Sequence, residues 1–321
     1  MLRRFYELSQ QSYHDEKAMK REKLSPGLKM FLMVLPFLIL VFMFSYLPLY
    51  GWVYSFFDYK PPLKLSQSTF VGLEWFKFLF QNPTQLSELL KVLRNTLAMS
   101  GLGILISLLS MIFAVFLTEV KSKRYKKFVQ VLTTLPNFIS WVLVYSVAYA
   151  LFSNSGMMNN VLQSIGAIAQ PIKVMDSDDH TWLLMFLWAV WKGLGWGAIM
   201  YLATISSLDQ ELYEAARVDG AGRFKLMWHI TLPGLIPTFF VLLMLSVANF
   251  LSNGLDQYYV FHNAFNMEHI QVLDLYVYVL GLGNGSYSLA TALSMMKSIV
   301  SIILLAVVNV LSKVVRGESM V

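Results

Sequence analysis

Six apolar runs, near residues 30–50, 95–119, 128–152, 181–203, 234–255 and 288–311, alternate with polar stretches along the chain. Each run is long enough to cross a bilayer as a helix, and a helix satisfies its backbone groups where no water can. The pattern therefore predicts an all-α, polytopic membrane protein with six transmembrane helices. Pro36 and Pro48 in the first run and Pro136 in the third are expected to bend their helices. Trp52, Tyr54, Phe56, Phe57 and Tyr59 follow the first run as an aromatic cluster suited to a membrane interface. The long polar stretch 58–94 holds one amphipathic segment, 70–80, expected to lie along the outer surface. The regions 1–29 and 313–321 read as tails around a membrane domain of 30–312.

Composition supports this reading. Of 321 residues, 56% are hydrophobic and only 14% charged, where a soluble domain would carry about a quarter charged. There is no cysteine, so disulfides and thiolate metal sites are excluded, and the five histidines lack ligand-like spacing. The net charge of +6 is explained by topology rather than by nucleic acid. With the N-terminus inside, seventeen of the twenty-five Lys and Arg fall on the inner side and six on the outer, while Lys192 and Lys297 lie within spans. That asymmetry follows the positive-inside rule and places both tails and the segment 211–233 in the cytoplasm. The basic residues before the first run extend too far for a secretory signal, and no small-residue cleavage site follows it.

The inner segment 211–233 differs from the spans around it. Residues 211–218 are good helix formers, preceded by Ser206, Ser207 and Asp209 as candidate caps. Gly220 and Gly222 break that helix and turn the chain. A second short amphipathic piece, 224–230, is expected to return it to the bilayer, with Pro233 in the first turn of the next span. Glu214, Ala215 and Ala216 are followed after three residues by Gly220, and after nine more by Ile230, Thr231, Leu232 and Pro233. This spacing resembles the cytoplasmic coupling motif of the permease subunits of ABC importers, matched at every fixed position, with the coupling loop at 205–233. Further stretches, 44–56, 135–141, 191–205 and 283–293, are similar to the permeases of binding-protein-dependent sugar importers, above all those for oligosaccharides.

The resemblance implies the type I ABC importer permease fold in a bacterial plasma membrane. It implies as partners a homologous second permease, two ATPase subunits and an extracellular solute-binding protein. It also implies that Glu214, Ala215, Ala216, Asp219, Gly220, Ile230, Leu232 and Pro233 form the contact with an ATPase. The chain has no glycine-rich phosphate loop ending in Lys-Ser or Lys-Thr, and no catalytic motif. ATP and magnesium are therefore expected on the partner subunits, with no cofactor and no metal here.

Polar groups within spans are costly in lipid and mark pathways or partners. Trp191, Lys192 and Trp196 in the fourth run, Asn249, Asn253 and Asp256 at the outer end of the fifth, and Lys297 in the sixth are the candidate pathway residues. Aromatic faces with amides and a lysine suit a neutral or uronate oligosaccharide. The alternative is that Lys192 and Lys297 pair with Asp256 or with the second permease, or snorkel. Two other functions remain open. One is an ABC permease for a polyol or glycerol phosphate, which the sequence scarcely separates from a sugar permease. The other is an ion-coupled secondary carrier acting alone, which predicts several intramembrane acids or broken helices, and few acids occur here.

Overall fold

The computed structural model describes residues 25–316, so most of the two expected tails, 1–24 and 317–321, lies outside the described residues. Residues up to Val53 form one unit and those from Tyr54 onward a second.

In the first unit, helix α1 spans Pro26–Val41. Ser25 caps it, its hydroxyl accepting from the Leu28 N–H at 3.2 Å, and Pro26 occupies the first turn, where no N–H is required. Pro36 sits inside the helix, but the regular winding ends later, in a π-turn at Phe42–Tyr46 that runs on into a 3₁₀ helix from Leu47. Helix α1 is apolar all round and buries no residue. Such a surface belongs in lipid or against another membrane helix.

The second unit opens with a two-residue antiparallel ladder, β1 (Phe57–Asp58) with β2 (Thr69–Phe70). Helix α2 (Glu74–Gln81) follows, its Trp75 indole donating to the Phe57 carbonyl at 3.1 Å. Helix α3 runs from Pro83 to Thr118, 36 residues, and so begins 12 residues before the expected start of the second span at Asn95. Asn82 explains the early start. Its side chain accepts from the N–H groups of Thr84 and Gln85, and Pro83 takes the first helical position.

The third apolar run is not one straight span. Helix α4 (Lys123–Thr134) passes into a 3₁₀ turn, Leu135–Phe138, and helix α5 (Trp141–Phe152) leaves at a bend of 102°. Pro136 lacks the N–H that would continue the ladder, Ile139 is extended, and the Ser140 hydroxyl starts a new helix by accepting from the Leu143 N–H. Helix α6 (Met157–Ser164) lies in the loop before helix α7 (Thr181–Ser207).

Helices α8 (Gln210–Val218) and α9 (Arg223–Leu226) come next. The separate short piece expected at 224–230 is not separate. Through a π-turn at Met227–Thr231, α9 continues into α10 (Leu232–Ala248) as one helix, Arg223–Ala248. The widened turn removes the clash between the Pro233 ring and the preceding turn that would otherwise break the helix. This span also ends at Ala248 rather than Leu255, because residues 249–254 turn, with Gly254 at φ 80°.

The stretch read as a loop from 256 contains helices α11 (Asp256–Phe261), α12 (Met267–Ile270) and α13 (Leu273–Tyr278), the last extended by a π-turn to Gly283. Helix α14 (Tyr287–Arg316) closes the described chain. Among the described residues five helices are long and apolar enough to cross a membrane, six if the bent pair around Pro136 is counted as one broken span.

The core is built on α3 and α7. Small residues and hydroxyls hold them together, as expected where lipid offers no hydrophobic drive. Ser110 donates to the Leu194 carbonyl at 3.1 Å, and the Ser107 and Tyr201 hydroxyls share a bond of 2.7 Å. Gly195 lets α7 touch the backbone of α4 at Thr133.

Candidate functional site: the coupling helix and the pathway cavity

At the expected cytoplasmic end, α8 stands out from the span helices. Its N-cap is Asp209, whose carboxylate accepts from the Glu211 N–H at 2.9 Å. At its C-terminus the Asp219 N–H reaches the Ala215 carbonyl at 3.0 Å and the Ala221 N–H reaches the Ala216 carbonyl at 2.9 Å. Closing that turn places Gly220 at φ 78°, in the left-handed region that disfavours a Cβ. Gly222 has an ordinary φ of −74° and serves as the cap of α9.

Two links brace this unit against the spans. The Tyr213 and Thr231 hydroxyls share a 3.0 Å bond, and Arg223 pairs with Glu119 at the end of α3 at 2.8 Å. A cavity of about 380 Å³ lies between them, lined by Tyr213, Arg217 and Arg223 with Thr118 and Glu119. Glu214, Ala215, Asp219 and Gly220 are exposed and Ala216 half-buried. Large apolar side chains stand in the same region, with Val218 88% and Phe224 79% exposed. Ile230, Leu232 and Pro233 belong instead to the helix Arg223–Ala248, which is long and apolar enough to cross a membrane.

The larger cavity, about 630 Å³, lies between α3, α7, α10 and α11. Of the candidate pathway residues, Trp196, Asn249 and Asn253 line it. Its remaining polar lining consists of hydroxyls and amides, including Ser100, Ser107, Ser246, Ser252 and Gln257. The edge of the Phe138 ring meets Trp196 at 5.7 Å, setting the indole at the cavity side. Hydroxyl and amide groups beside an exposed indole can exchange hydrogen bonds with sugar hydroxyls while the ring covers an apolar sugar face.

Lys192 is placed elsewhere. Its ammonium donates to the carbonyls of Pro136, Asn137 and Ile139, at the break between α4 and α5, and lies 5.4 Å from the Trp141 ring. The Pro136 carbonyl also accepts from the Ile139 N–H at 3.1 Å, so the ammonium adds a second donor there and supplies one to Asn137 and Ile139 at the break, and the positive charge sits at a helix C-terminus, where it is favoured. Neither Asp256 nor the large cavity holds it. Trp191 packs edge-on against Trp188, and Asp256 is exposed in the first turn of α11. Replacing Lys192 by Met is expected to loosen the break and cost roughly 1–2 kcal/mol, since partly buried carbonyls lose a charged donor. Thermal unfolding of the purified protein in detergent would show it as a lowered midpoint.

Lys297 pairs with Asp274 of α13, not with Asp256. The second Asp274 oxygen accepts from the Asn253 and Gly254 N–H groups, both at 3.0 Å, so this carboxylate also pins the turn after α10. Asn253 in turn donates to the Ser100 hydroxyl at 2.8 Å, and Ser100 to the Phe250 carbonyl. Sequence reasoning missed Asp274 because it was counted within a loop. The available signal was an acid in the otherwise apolar run 272–283.

Comparison with known proteins agrees with this architecture. Residues 103–317 match the family described as binding-protein-dependent transport system inner membrane component. The chain is 37% identical over 298 residues to Protein LplB of Bacillus subtilis (strain 168), covering 92% of this chain and 90% of that protein. It is 38% identical over 286 residues to the polygalacturonan/rhamnogalacturonan transport system permease protein YteP of the same organism, covering 88% and 87%. Among solved structures it matches, at a TM-score of 0.79 and 30% identity, a bacterial ABC transporter involved in the import of the acidic polysaccharide alginate, with 94% of this chain and 99% of that chain covered. A second structure, of a bacterial alginate ABC transporter with an alginate pentasaccharide-bound periplasmic protein, matches equally well at 0.79, covering 95% and 99%. The chain therefore belongs to the binding-protein-dependent transport system inner membrane component family, as a multi-pass permease of the sugar and oligosaccharide ABC importer type.

Proposed function

We propose that this chain forms half of the membrane pathway of an ATP-driven importer for an oligosaccharide, the other half being a homologous second permease. The observation that carries this reading is the exposed helix α8, closed by Gly220 at φ 78° and braced to the spans through Tyr213 and Arg223. An exposed face of small side chains, flanked by Glu214 and Asp219 and by apolar Val218 and Phe224, suits insertion into a cleft of an ATPase subunit. Two ATPase subunits, carrying ATP and magnesium, would move the coupling helices of both permeases together. The pathway would then open outward toward a solute-binding protein, and hydrolysis would reset it. This chain supplies no catalytic group to that cycle. Both termini lie in the cytoplasm on this reading, which the excess of Lys and Arg on that side supports.

The large cavity, lined by Trp196, Asn249 and Asn253 with several serines, favours a sugar. An acidic sugar is favoured by the likeness to a permease named for polygalacturonan and rhamnogalacturonan and to an alginate importer. The test is uptake of a labelled uronate oligosaccharide into proteoliposomes holding this chain, its second permease, the ATPases and the binding protein. Uptake is expected only with internal ATP and external binding protein. Gradient-driven uptake by this chain alone would establish a secondary carrier, and uptake of glycerol phosphate instead of sugar would overturn the substrate class.

A further inference from the structure

Beside the large cavity lies a second chamber of about 350 Å³, between α10, α13 and α14. Asn249 and Ser252 line both, so the two chambers adjoin beyond the end of α10. Three features set the second chamber apart. It holds a charge pair, Lys297 with Asp274, both side chains mostly buried. One face of α14 presents Ser294, Ser298 and Ser301 to it. The Ser301 hydroxyl is buried there without a hydrogen-bond partner.

The chemistry of the lining is biased toward donors. Asp274 is already engaged, one oxygen with Lys297 and the other with two backbone N–H groups. Lys297 has three N–H donors and, among the described residues, gives one to Asp274, so two remain. The unpartnered Ser301 hydroxyl adds another donor on the same helix, one turn away. A chamber with spare donors around a cation, and its acid saturated, is complementary to an oxygen-rich anion. Its volume falls within the range of small-molecule sites.

We propose that this chamber is a subsite for one acidic sugar unit, whose carboxylate docks on Lys297 and Ser301. The inference rests on the reading of the chain as an oligosaccharide importer, and adds the residues that separate acidic from neutral cargo. Lys297 then bridges two carboxylates, that of Asp274 and that of the sugar, while Asp274 keeps the turn at Asn253 and Gly254 in place.

The experiment is equilibrium binding by calorimetry of a galacturonate trisaccharide and of a galactose trisaccharide to the purified transporter complex. The preference for the acidic over the neutral trisaccharide is compared between wild type and variants. In the double variant Asp274→Asn/Lys297→Met no charge is left unpaired, and the preference is expected to fall roughly ten- to hundredfold, the worth of a charged hydrogen bond. Lys297→Arg should retain most of it. Ser301→Ala removes only an unpartnered hydroxyl and so should fold. It is expected to weaken the acidic trisaccharide about tenfold, which keeps the test intact even where the double variant does not fold. An unchanged preference in Ser301→Ala and in a folded double variant would overturn the subsite while leaving the importer reading standing. Wild-type complex that binds neither trisaccharide would overturn the importer reading and the subsite with it.

Discussion

Gly220→Pro is expected to abolish ATP-driven uptake by the assembled transporter while leaving its membrane core folded. Gly220 sits at φ 78°, and a proline ring holds φ near −65°, so the turn after α8 cannot form with proline in place. The Schellman bonds from the Gly220 N–H to the Arg217 carbonyl and from the Ala221 N–H to the Ala216 carbonyl are lost with it, and the helix loses its fixed direction. A Cβ at Gly220 would meet nothing within 4 Å, so the demand is on the backbone alone. Gly220→Ala is accordingly expected to cost only about 1–2 kcal/mol locally and to leave partial activity. The check is uptake and substrate-stimulated ATP hydrolysis by the reconstituted complex, alongside thermal unfolding of the permease. The two glycine variants should separate sharply in transport while their unfolding midpoints stay near wild type.

The largest expected loss of stability is at Gly195. A Cβ there would lie 2.3 Å from the Thr133 carbonyl oxygen and 2.7 Å from the Thr134 nitrogen, atoms of the α4 backbone that cannot rotate aside. Gly195→Val must therefore push α7 away from α4 or unwind one of them. The expected cost is about 3 kcal/mol or more, at the upper end for overpacking. The shift would also separate Lys192, three residues earlier on α7, from the carbonyls at the α4–α5 break. Gly193 is the control, since its added Cβ would meet only the Ile106 side chain at 3.9 Å. Thermal unfolding in detergent should show Gly195→Val far below wild type and Gly193→Ala close to it.

Much of the fold could be read because each span is a run of apolar residues long enough to leave no other home for it. The segment 211–233 stood out because its glycines and charges interrupt that rule, and its helix, turn and returning helix follow from them. What escaped were features that depend on partners distant in sequence. Pro136 signalled a bend, but the 102° break also needs Lys192, more than fifty residues away, to satisfy the freed carbonyls. The early start of α3 depends on Asn82 and Pro83, a cap that lies within the long polar stretch 58–94. The continuous helix through Pro233 depended on a π-turn, which leaves no periodic trace in five residues. The acid facing Lys297 was likewise misplaced, because 272–283 is too short to register as a span and yet packs within the core at Leu273, Leu275 and Tyr276.

The central claim, that α8 couples this permease to an ATPase at the cytoplasmic face, has one direct measurement. The chain has no cysteine, so Ala215→Cys introduces a unique thiol on an exposed position of α8, and Ser155→Cys gives a matching thiol on the expected outer side. Cross-linking from each in native membranes, read by mass spectrometry, would be combined with labelling of intact cells by an impermeant thiol reagent. The account predicts an ATPase subunit cross-linked through residue 215, which is shielded from external reagent, and labelling of residue 155 from outside. A residue 215 that labels from outside, or that captures no ATPase, would contradict it.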